Sequence, residues 1–377
     1  MEPALTHSSL SLAPQAEQHA IPLNGSRFVR ACLRLPVDRT PVWFLRQAGR
    51  YMPEYMAVRK NHTLLDICRT PDVAAEVTIT AAERLGVDAA IIFADLLLPF
   101  TPMGVDFEFV AGEGPKVHTP VRTTAQVEAL RTDRAEELNY VAQSIERVAK
   151  HFAAPRADGD QLGIIGFCGA PFTLASYMIE GGSSRNYIES KKMMYASGIP
   201  GGAESKAWPL LMEKLVDVLI VYAQQQVEAG ADVIQIFDSW AGALSVLDYR
   251  EFCLESTTRL VRAVQAMGVP VIYFGVDTAS LLSTMRETGA DVIGLDWRTT
   301  IDEGWKAVGV GCAVQGNLDP ISLFAPEAVL KARVAEVLRQ AAGRNGHIFN
   351  LGHGIVPGTP VENVIRVVEW VKDMSTR

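Results

Sequence analysis

Residues 41–59 read PVWFLRQAGRYMPEYMAVR, and this segment joins a short apolar run to a group of arginines. The run at 41–45 turns polar at once, which is typical of a buried strand followed by a loop. Guanidinium groups bind carboxylates or phosphates bidentately and keep their charge. Arg46, Arg50 and Arg59 therefore indicate either an anion site at a strand end or a solvated loop whose arginines pair with surface acids.

Short apolar runs recur along the chain and alternate with longer helical patterns. The runs occupy residues 42–45, 89–94, 162–167, 232–237, 271–274, 291–295, 313–316 and 347–351. They are apolar almost throughout, which suits parallel strands that are buried on both faces. The helical patterns occupy residues 71–85, 210–229, 249–267, 326–342 and 360–374. Eight strands that alternate with helices predict a single (β/α)8 TIM barrel, with a doubly wound open sheet as the alternative.

Two segments interrupt this alternation. Residues 101–122 contain several Gly and Pro residues and predict an excursion after the second strand. Residues 183–206 mix Gly, Ser, Lys and Met, and we expect them to form a mobile flap near the strand ends.

Length, composition and charge narrow the class of protein. The chain has 377 residues, of which 48% are hydrophobic, so it can bury a large core. Its net charge is −8 and it has no Lys/Arg-rich block, which argues against nucleic acid or an anionic membrane as a partner. Residues 1–25 are rich in Ser, Ala, His and Pro, and they predict a disordered or loosely packed arm before a barrel domain at 26–377.

Motifs that the sequence lacks predict the compartment of the protein and its cofactors. The five cysteines are widely spread without a CxxC pair, which favours reduced thiols in the cytoplasm. No apolar run reaches eighteen residues, and the first basic residue is Arg27, so we expect neither a membrane span nor a secretory signal. Without metal-ligand spacing, a GxGxxG motif or a Walker A loop, we expect no metal and no nucleotide cofactor.

The carboxyl ends of the strands carry the active site in barrels of this kind. The residues near those ends are Arg46, Arg50, Asp95, Phe167, Cys168, Tyr177, Asp238, Ser239, Asp296, Asn317, Asp319 and His353. Asp95 lies among Ile, Phe and Leu residues, where a carboxylate is costly unless it is paired, caps a turn or has a function. The glycines beside His353 permit close approach to a ligand or a tight turn with a structural histidine. For Asp238 and Asp296, turns and caps are the simpler explanation.

Five segments carry a resemblance to a known family. They are residues 41–55 (PVWFLRQAGRYMPEY), 88–100 (DAAIIFADLLLPF), 166–187 (GFCGAPFTLASYMIEGGSSRNY), 234–242 (IQIFDSWAG) and 349–360 (FNLGHGIVPGTP). Together they resemble the uroporphyrinogen decarboxylase family. The resemblance implies a homodimeric barrel enzyme of haem biosynthesis that removes carbon dioxide from the four acetate side chains of uroporphyrinogen III, giving coproporphyrinogen III, without a cofactor. It also implies a substrate cleft lined by Arg46, Arg50, Asp95, Tyr177, Ser239 and His353, with Arg59, Phe167 and Phe237 nearby.

The implied chemistry suits these residue types. A substrate with eight carboxylates needs arginines around it, and a protonated pyrrole ring can take up the electrons released with carbon dioxide, without pyridoxal or thiamine. In this scheme Asp95 accepts the pyrrole N–H groups and stabilises the cation. Arg46 and His353 are the candidate proton donors, and His353 is the better acid by its ordinary pKa.

Two other classes of protein remain open at this point. A corrinoid- or thiol-linked methyltransferase of the same superfamily would hold zinc through a His-x-Cys pair and a distant Cys. Here the corresponding region reads GHGI, and no cysteine follows Cys312, which argues against that class. A non-catalytic tetrapyrrole-binding protein is the other class, and the presence of Asp95 with both Arg46 and Arg50 argues against it.

Overall fold

A curled parallel sheet forms the centre of the computed structural model, which describes residues 25–110 and 112–377. The strands are β1 Ala89–Ile91, β2 Phe107–Val110, β3 Gly114–Val117, β4 Gly163–Gly169, β5 Val233–Asp238, β6 Val271–Gly275, β7 Val292–Gly294, β8 Ala313–Gln315 and β9 His347–Ile348. Seven of them pair in parallel in the order β1-β4-β5-β6-β7-β8-β9. Strands β2 and β3 form a separate antiparallel pair. The sequence prediction of an α/β protein with a buried parallel sheet is therefore confirmed.

Helices connect the parallel strands and cover the sheet. They are α1 Arg27–Cys32, α2 Pro53–Arg59, α3 Leu64–Arg69, α4 Pro71–Leu85, α5 Phe100–Met103, α6 Thr124–Glu128, α7 Asn139–His151, α8 Pro171–Glu180, α9 Ile188–Ser197, α10 Ala207–Glu228, α11 Val246–Phe252, α12 Leu254–Ala266, α13 Leu282–Glu287, α14 Ile301–Val308, α15 Glu327–Ala341 and α16 Val361–Ser375. Short 3-10 helices occupy Ala135–Leu138, Ala241–Ala243 and Pro320–Phe324. Among residues 25–110 and 112–377, no helix is both long and apolar enough to span a membrane.

The first apolar run differs from the prediction, because it forms one bridge and no extended strand. Val42 bridges Phe349 in parallel. The Val42 N–H donates to the Asp88 carboxylate at 2.9 Å, and the Leu45 N–H donates to the Asn350 side chain at 2.9 Å. Side-chain oxygens thus accept the hydrogen bonds that backbone carbonyls of a neighbouring strand would accept, so no ladder forms.

The same segment nevertheless contacts both outer strands of the parallel sheet. On one side, Phe349, directly after β9, donates to the Pro41 carbonyl at 2.8 Å and accepts from the Trp43 N–H at 3.3 Å. On the other side, Asp88, directly before β1, donates its N–H to the Val42 carbonyl at 2.8 Å. These contacts fix the chain just before it reaches Arg46.

The two segments predicted to interrupt the alternation contain strands and a helix, and one predicted helix is divided. Strands β2 and β3 lie within residues 101–122, and α9 lies within residues 183–206. The helix predicted at 249–267 is divided at Cys253 into α11 and α12, because the Phe252 carbonyl accepts a hydrogen bond from the Trp208 indole at 2.9 Å. The predicted arm at 1–25 lies outside the described residues apart from Gly25.

Asp88 is a fully buried carboxylate whose charge is balanced by arginines. Arg39 binds both of its oxygens at 2.8 Å, Arg156 binds at 2.9 Å and Arg27 at 3.2 Å. Burial alone would raise the pKa of Asp88, but the hydrogen bonds and charge of Arg39, the charge of Arg156 and the Val42 N–H lower it overall.

We expect Asp88→Asn to lower the free energy of unfolding by roughly 3–5 kcal/mol, because removing one partner of a buried ion pair leaves the other uncompensated. Because the native pKa of Asp88 is lowered, its ionic contribution is complete above the ordinary carboxyl pKa and is lost as the pH falls through the native value. Urea unfolding at neutral and acid pH measures both effects.

The matched control is Asp133→Asn, which removes an exposed ion pair with Arg131 and should leave the unfolding curve nearly unchanged. Equal midpoints for the Asp88 variant and the wild type at neutral pH would contradict a stabilising role for the buried cluster.

Candidate active site

Arg46 lies at the carboxyl-terminal side of the sheet, in a backbone conformation that is uncommon for a non-glycine residue. Its φ is 57°, in the left-handed region, which costs on the order of 1 kcal/mol or more. The Ile355 N–H donates to the Leu45 carbonyl at 3.0 Å and fixes the chain just before it. The Arg46 side chain packs on Gly354, where a Cβ would lie 2.6 Å from Arg46 Cγ and 2.9 Å from Arg46 Nε.

The glycines on either side of His353 serve close packing within the protein. A Cβ on Gly352 would lie 2.8 Å from Trp297 Cα, so the two backbones approach each other there. Gly354 leaves space for Arg46 in the same way. The sequence left open whether these glycines permit a ligand to approach or form a tight turn, and both glycines give space to protein groups.

The charge of Arg46 acts on Asp95, Tyr177 and His353, which places all four predicted site residues in one group. We call these four residues the Arg46 cluster. Asp95 follows β1, Tyr177 lies on α8 after β4, and His353 follows β9. Since the carboxyl ends of parallel strands meet at one edge of a sheet, side chains that are distant in sequence come together here.

Asp95 is half-buried and uses one of its two oxygens within the protein. Its Oδ1 accepts from the Leu97 N–H at 2.9 Å, so Asp95 does cap a turn. The described part of the chain donates no hydrogen bond to Oδ2, which leaves that oxygen available to a ligand. Burial raises the pKa of Asp95 to about 6, although the Leu97 N–H and the charge of Arg46 lower it.

His353 is protonated less often at neutral pH in this structure than its ordinary pKa suggested. Burial lowers the pKa of His353, and the charges of Arg46 and Arg298 lower it further, while its bond with the Gly354 backbone and the charge of Asp296 act the other way. The imidazole is therefore largely neutral at pH 7. The choice between Arg46 and His353 as the proton donor stays a prediction.

Tyr177 keeps its proton at neutral pH. Burial raises its pKa to about 12, with Asp95 and Tyr187 adding to the increase and Arg46 opposing it. Its ring packs on Trp240, with ring centroids 3.8 Å apart. A protonated phenol beside a carboxylate and a guanidinium can donate a hydrogen bond to a ligand.

An aromatic group lies at the neighbouring strand ends. Phe167 and Phe237 meet edge to face with centroids 5.4 Å apart, and Phe237 meets Phe274 at 6.0 Å. Phe237 is half-buried, whereas Phe167 and Phe274 are buried. Such a surface suits the flat apolar faces of an aromatic ligand.

Three predicted binding residues make no hydrogen bond or ion pair with the Arg46 cluster within the described residues. Arg50 is exposed, and Ser239 is half-buried directly after β5. Arg59 ends α2, and its Nη1 donates to the His62 carbonyl at 2.6 Å.

Other strand-end candidates have structural roles, and these are Cys168, Asp238, Asp296, Asn317 and Asp319. Asp238 is buried and accepts from the Thr173 and Tyr273 hydroxyls. Asp296 accepts from the Asp277 N–H at 2.6 Å and pairs with Arg298 at 2.8 Å. Asn317 donates to the Asp296 carbonyl, Asp319 caps a 3-10 helix, and the Cys168 thiol is buried. A turn explains Asp296, whose Oδ1 also accepts from the Arg298 N–H at 2.9 Å, whereas Asp238 belongs to a buried network of hydroxyl groups.

Sequence reasoning missed two aromatic residues beside the cluster, Trp240 and Tyr187. Trp240 contacts both Tyr177 and Tyr187. A large aromatic residue directly after Ser239 at a strand end was the available signal for Trp240. Tyr187 has a φ of 52°, and nothing in its local sequence predicts that conformation.

Among the described residues, a search for metal ligands and for cavities does not point to the Arg46 cluster. In the residues that the structure describes, no group of three or more His, Cys, Asp or Glu side chains is arranged to hold a metal ion. A cavity of about 520 Å³ lies between α9, α10 and α12, where Trp208, Met212 and Glu255 contribute to its lining. No predicted site residue lines that cavity.

Comparison with solved structures identifies the class of fold. A methyltransferase from Methanosarcina mazei matches with a TM-score of 0.72 and 21% identity, covering 92% of this chain and 98% of that chain. A B12-independent methionine synthase from Shewanella sp. W3-18-1 matches with a TM-score of 0.52 and 10% identity, covering 84% and 90%. Fold and site together define an α/β protein with a charged cluster at the carboxyl edge of a parallel sheet.

Comparison of sequences identifies the family within that class. The family model described as uroporphyrinogen decarboxylase (URO-D) matches residues 23–374. A uroporphyrinogen decarboxylase from Koribacter versatilis is 60% identical over 354 residues, covering 94% of this chain and 97% of the relative. One from Sorangium cellulosum is 51% identical over 346 residues, covering 92% and 95%. The chain belongs to the uroporphyrinogen decarboxylase family, which confirms the resemblance carried by the five segments.

We expect Arg46→Gln to raise the pKa of both His353 and Asp95, because the guanidinium charge lowers both in the native protein. NMR titration of the His353 imidazole measures the first shift, with the resonance assigned by a His353→Gln variant. The control Arg147→Gln removes an exposed arginine that pairs with Asp72 and should leave the His353 titration unchanged. An unshifted His353 titration in Arg46→Gln would place the guanidinium away from the imidazole.

Proposed function

We propose that this chain removes carbon dioxide from the four acetate side chains of uroporphyrinogen III, giving coproporphyrinogen III, and that the Arg46 cluster performs the reaction. The observation that carries the proposal is the convergence of Arg46, Asp95, Tyr177 and His353 in a chain of this family. A guanidinium suits a polycarboxylate, and a carboxylate with an unused oxygen suits a ring N–H donor.

The reaction begins with protonation of the α-carbon of the pyrrole, next to the ring carbon that bears the acetate, and this leaves a cation on the acetate-bearing carbon. The bond to the carboxylate then breaks, carbon dioxide leaves, and the electron pair neutralises the ring cation as an exocyclic methylene. A second proton converts the methylene to methyl, and loss of the ring proton restores the pyrrole. Asp95, mostly ionised at pH 7 with a pKa of about 6, accepts the pyrrole N–H groups and stabilises the cation.

The other residues of the cleft bind and orient the substrate in this proposal. Arg46, Arg50 and Arg59 hold propionate and acetate carboxylates, and Ser239 and the protonated Tyr177 donate hydrogen bonds to them. Phe167 and Phe237 pack against the pyrrole faces. His353 is a candidate proton donor once the negative substrate has bound, because nearby carboxylates raise the pKa of an imidazole.

The proposal includes a closed (β/α)8 barrel and a homodimer in the cytoplasm. Contacts of residues 41–43 with Asp88 and Phe349 support closure between β1 and β9. Exposed apolar side chains near α9 support a second copy as the partner, and these are Ile188, Tyr195, Ile199 and Leu247. Free, buried cysteines support a reducing compartment. Sedimentation equilibrium of the purified chain tests the dimer, and a monomer at micromolar concentration contradicts it.

Incubation of the purified chain with uroporphyrinogen III, with chromatography of the products, tests the activity. We expect stepwise loss of four carboxyl groups, and we expect the same rate after exhaustive chelation and dialysis. Binding without turnover would support the non-catalytic tetrapyrrole-binding alternative. Activity that is lost on chelation and restored by zinc would favour the methyltransferase-like alternative.

We expect Arg50→Ala to weaken substrate binding by about 1.5 kcal/mol, the low end for a charge-assisted pair, because Arg50 is exposed. Arg50→Lys should recover part of this loss, since an ammonium group cannot bind a carboxylate bidentately. KM or a binding titration measures both variants, with Arg131→Ala as the exposed-arginine control. Full recovery by Lys would show that the site needs a point charge alone.

We expect Asp95→Asn to reduce kcat by about 10²–10³ while changing substrate binding less, because the lost charge acts on a cation that forms during the reaction. Asp95→Glu keeps the charge and should retain more activity than Asn. The matched control is Asp319→Asn, since Asp319 also accepts a backbone N–H two residues ahead at 2.9 Å.

The pH dependence of kcat/KM provides an independent measurement of the same residue. In the wild type the rate should fall as the pH drops below about 6, where Asp95 becomes protonated. The corresponding fall should be absent in Asp95→Asn. Near-normal turnover in a folded Asp95→Asn variant would remove Asp95 from the mechanism.

A further inference from the structure

Trp240 connects three segments of the chain beside the Arg46 cluster. It follows Ser239 after β5, and its ring packs on Tyr177 of α8 with centroids 3.8 Å apart and planes 33° apart. The same ring meets Tyr187, directly before α9, at 5.2 Å and 66°. The mechanism proposed above assigns no role to Trp240.

The backbone of Trp240 is held by a buried hydroxyl. The Trp240 N–H donates to Thr173 Oγ1 at 3.2 Å, and the Thr173 hydroxyl donates to Asp238 Oδ1 at 2.6 Å. Thr173 and Asp238 are fully buried. A hydroxyl has one proton and two lone pairs, so Thr173 can accept from Trp240 while it donates to Asp238.

The other oxygen of Asp238 is bound just as firmly. Tyr273 donates its hydroxyl proton to Asp238 Oδ2 at 2.6 Å, and the Tyr249 and Tyr273 oxygens are 2.8 Å apart. Because Tyr273 has given its proton to Asp238, Tyr249 is the donor of that second bond. Both tyrosines are fully buried. A buried network in which each member is paired is rigid, and this one ends at the Trp240 N–H.

The orientation of the Tyr177 ring depends on the groups packed against it. Its ring is half-buried and can turn about two side-chain torsions, whereas Arg46 packs on Gly354 and Asp95 caps a turn. An aromatic ring packed this closely, with centroids 3.8 Å apart, restricts those torsions.

We propose that Trp240 is a positioning residue: Thr173 and Asp238 hold its backbone, and its indole keeps the Tyr177 ring beside Asp95 in the orientation that the substrate requires. This inference rests on the proposed function. Because Trp240 acts through Tyr177, removing the Trp240 side chain should lower the rate no more than removing the Tyr177 side chain does.

The first test replaces the indole. We expect Trp240→Leu to lower kcat by about 10–100-fold, because small misplacements of positioning groups have effects of that size. Trp240→Phe keeps an aromatic face and should retain more activity than Leu. The control Trp370→Leu removes a buried indole of α16 that is 9% exposed, and it should leave kcat and KM unchanged.

The second test changes the buried hydroxyl without touching the aromatic rings. Thr173→Val removes the acceptor of the Trp240 N–H and should lower kcat in the same direction as Trp240→Leu. Thr173→Ser keeps the hydroxyl and should restore kcat. Equal kcat values for the Val and Ser variants would overturn the inference, even where Trp240→Leu fails to fold.

The deciding test is a double-mutant cycle of Trp240→Leu and Tyr177→Leu, measured as kcat and KM on uroporphyrinogen III. If Trp240 acts through Tyr177, the double variant loses no more than Tyr177→Leu alone. Losses that multiply, or a Tyr177→Leu variant with normal kcat, would overturn the inference. Either result with an active wild type leaves the proposed function intact, whereas an inactive wild type contradicts the proposed function itself.

Discussion

Asp88 and Val42 exchange two hydrogen bonds, and the placement of the candidate site depends on this pair. The Asp88 N–H donates to the Val42 carbonyl, and the Val42 N–H donates to the Asp88 carboxylate. The carboxylate can remain charged in the interior because Arg39 binds both of its oxygens. Residues 41–45 are thereby fixed beside β1, and the chain continues into Arg46 at the opposite end of the sheet. The ion pair of Asp88 with Arg39 at the amino ends of the strands thus helps to set the position of the Arg46 guanidinium at their carboxyl ends.

Hydrophobic pattern was sufficient to locate most of the fold. The α4 helix has its predicted bounds, with Pro71 at its first position and the left-handed Gly86 directly after its end. The pattern was insufficient at residues 41–45, because side chains of Asp88 and Asn350 replace strand carbonyls as hydrogen-bond acceptors. The hydrophobic pattern was also insufficient at Cys253, because a hydrogen bond from the Trp208 indole to the Phe252 carbonyl divides the helix. Both differences come from contacts between distant parts of the chain.

Local sequence pattern is also insufficient to identify the residues of the candidate site. Reading the strand ends brought Arg46, Asp95, Tyr177 and His353 into one set, because parallel strands carry those positions to one edge. The same reading also selected polar residues such as Asp319, because loops that follow strands need capping groups as well as functional ones. Local sequence cannot separate a cap from a functional carboxylate, and Asp95 is a cap that keeps an unused oxygen.

Arg46 also determines which group of the cluster can hold a proton. It lowers the pKa of both Asp95 and His353, so in the unliganded protein it favours an ionised carboxylate and a neutral imidazole. Under the proposed function, a polycarboxylate substrate brings negative charge that opposes Arg46 and raises both pKa values. The pyrrole N–H groups that Asp95 accepts favour its ionised form, so the rise in the pKa of His353, from a lowered starting value, is the change that adds a proton. Substrate binding and proton uptake are then linked, and the proton that the pyrrole carbon needs arrives at the cluster together with the substrate.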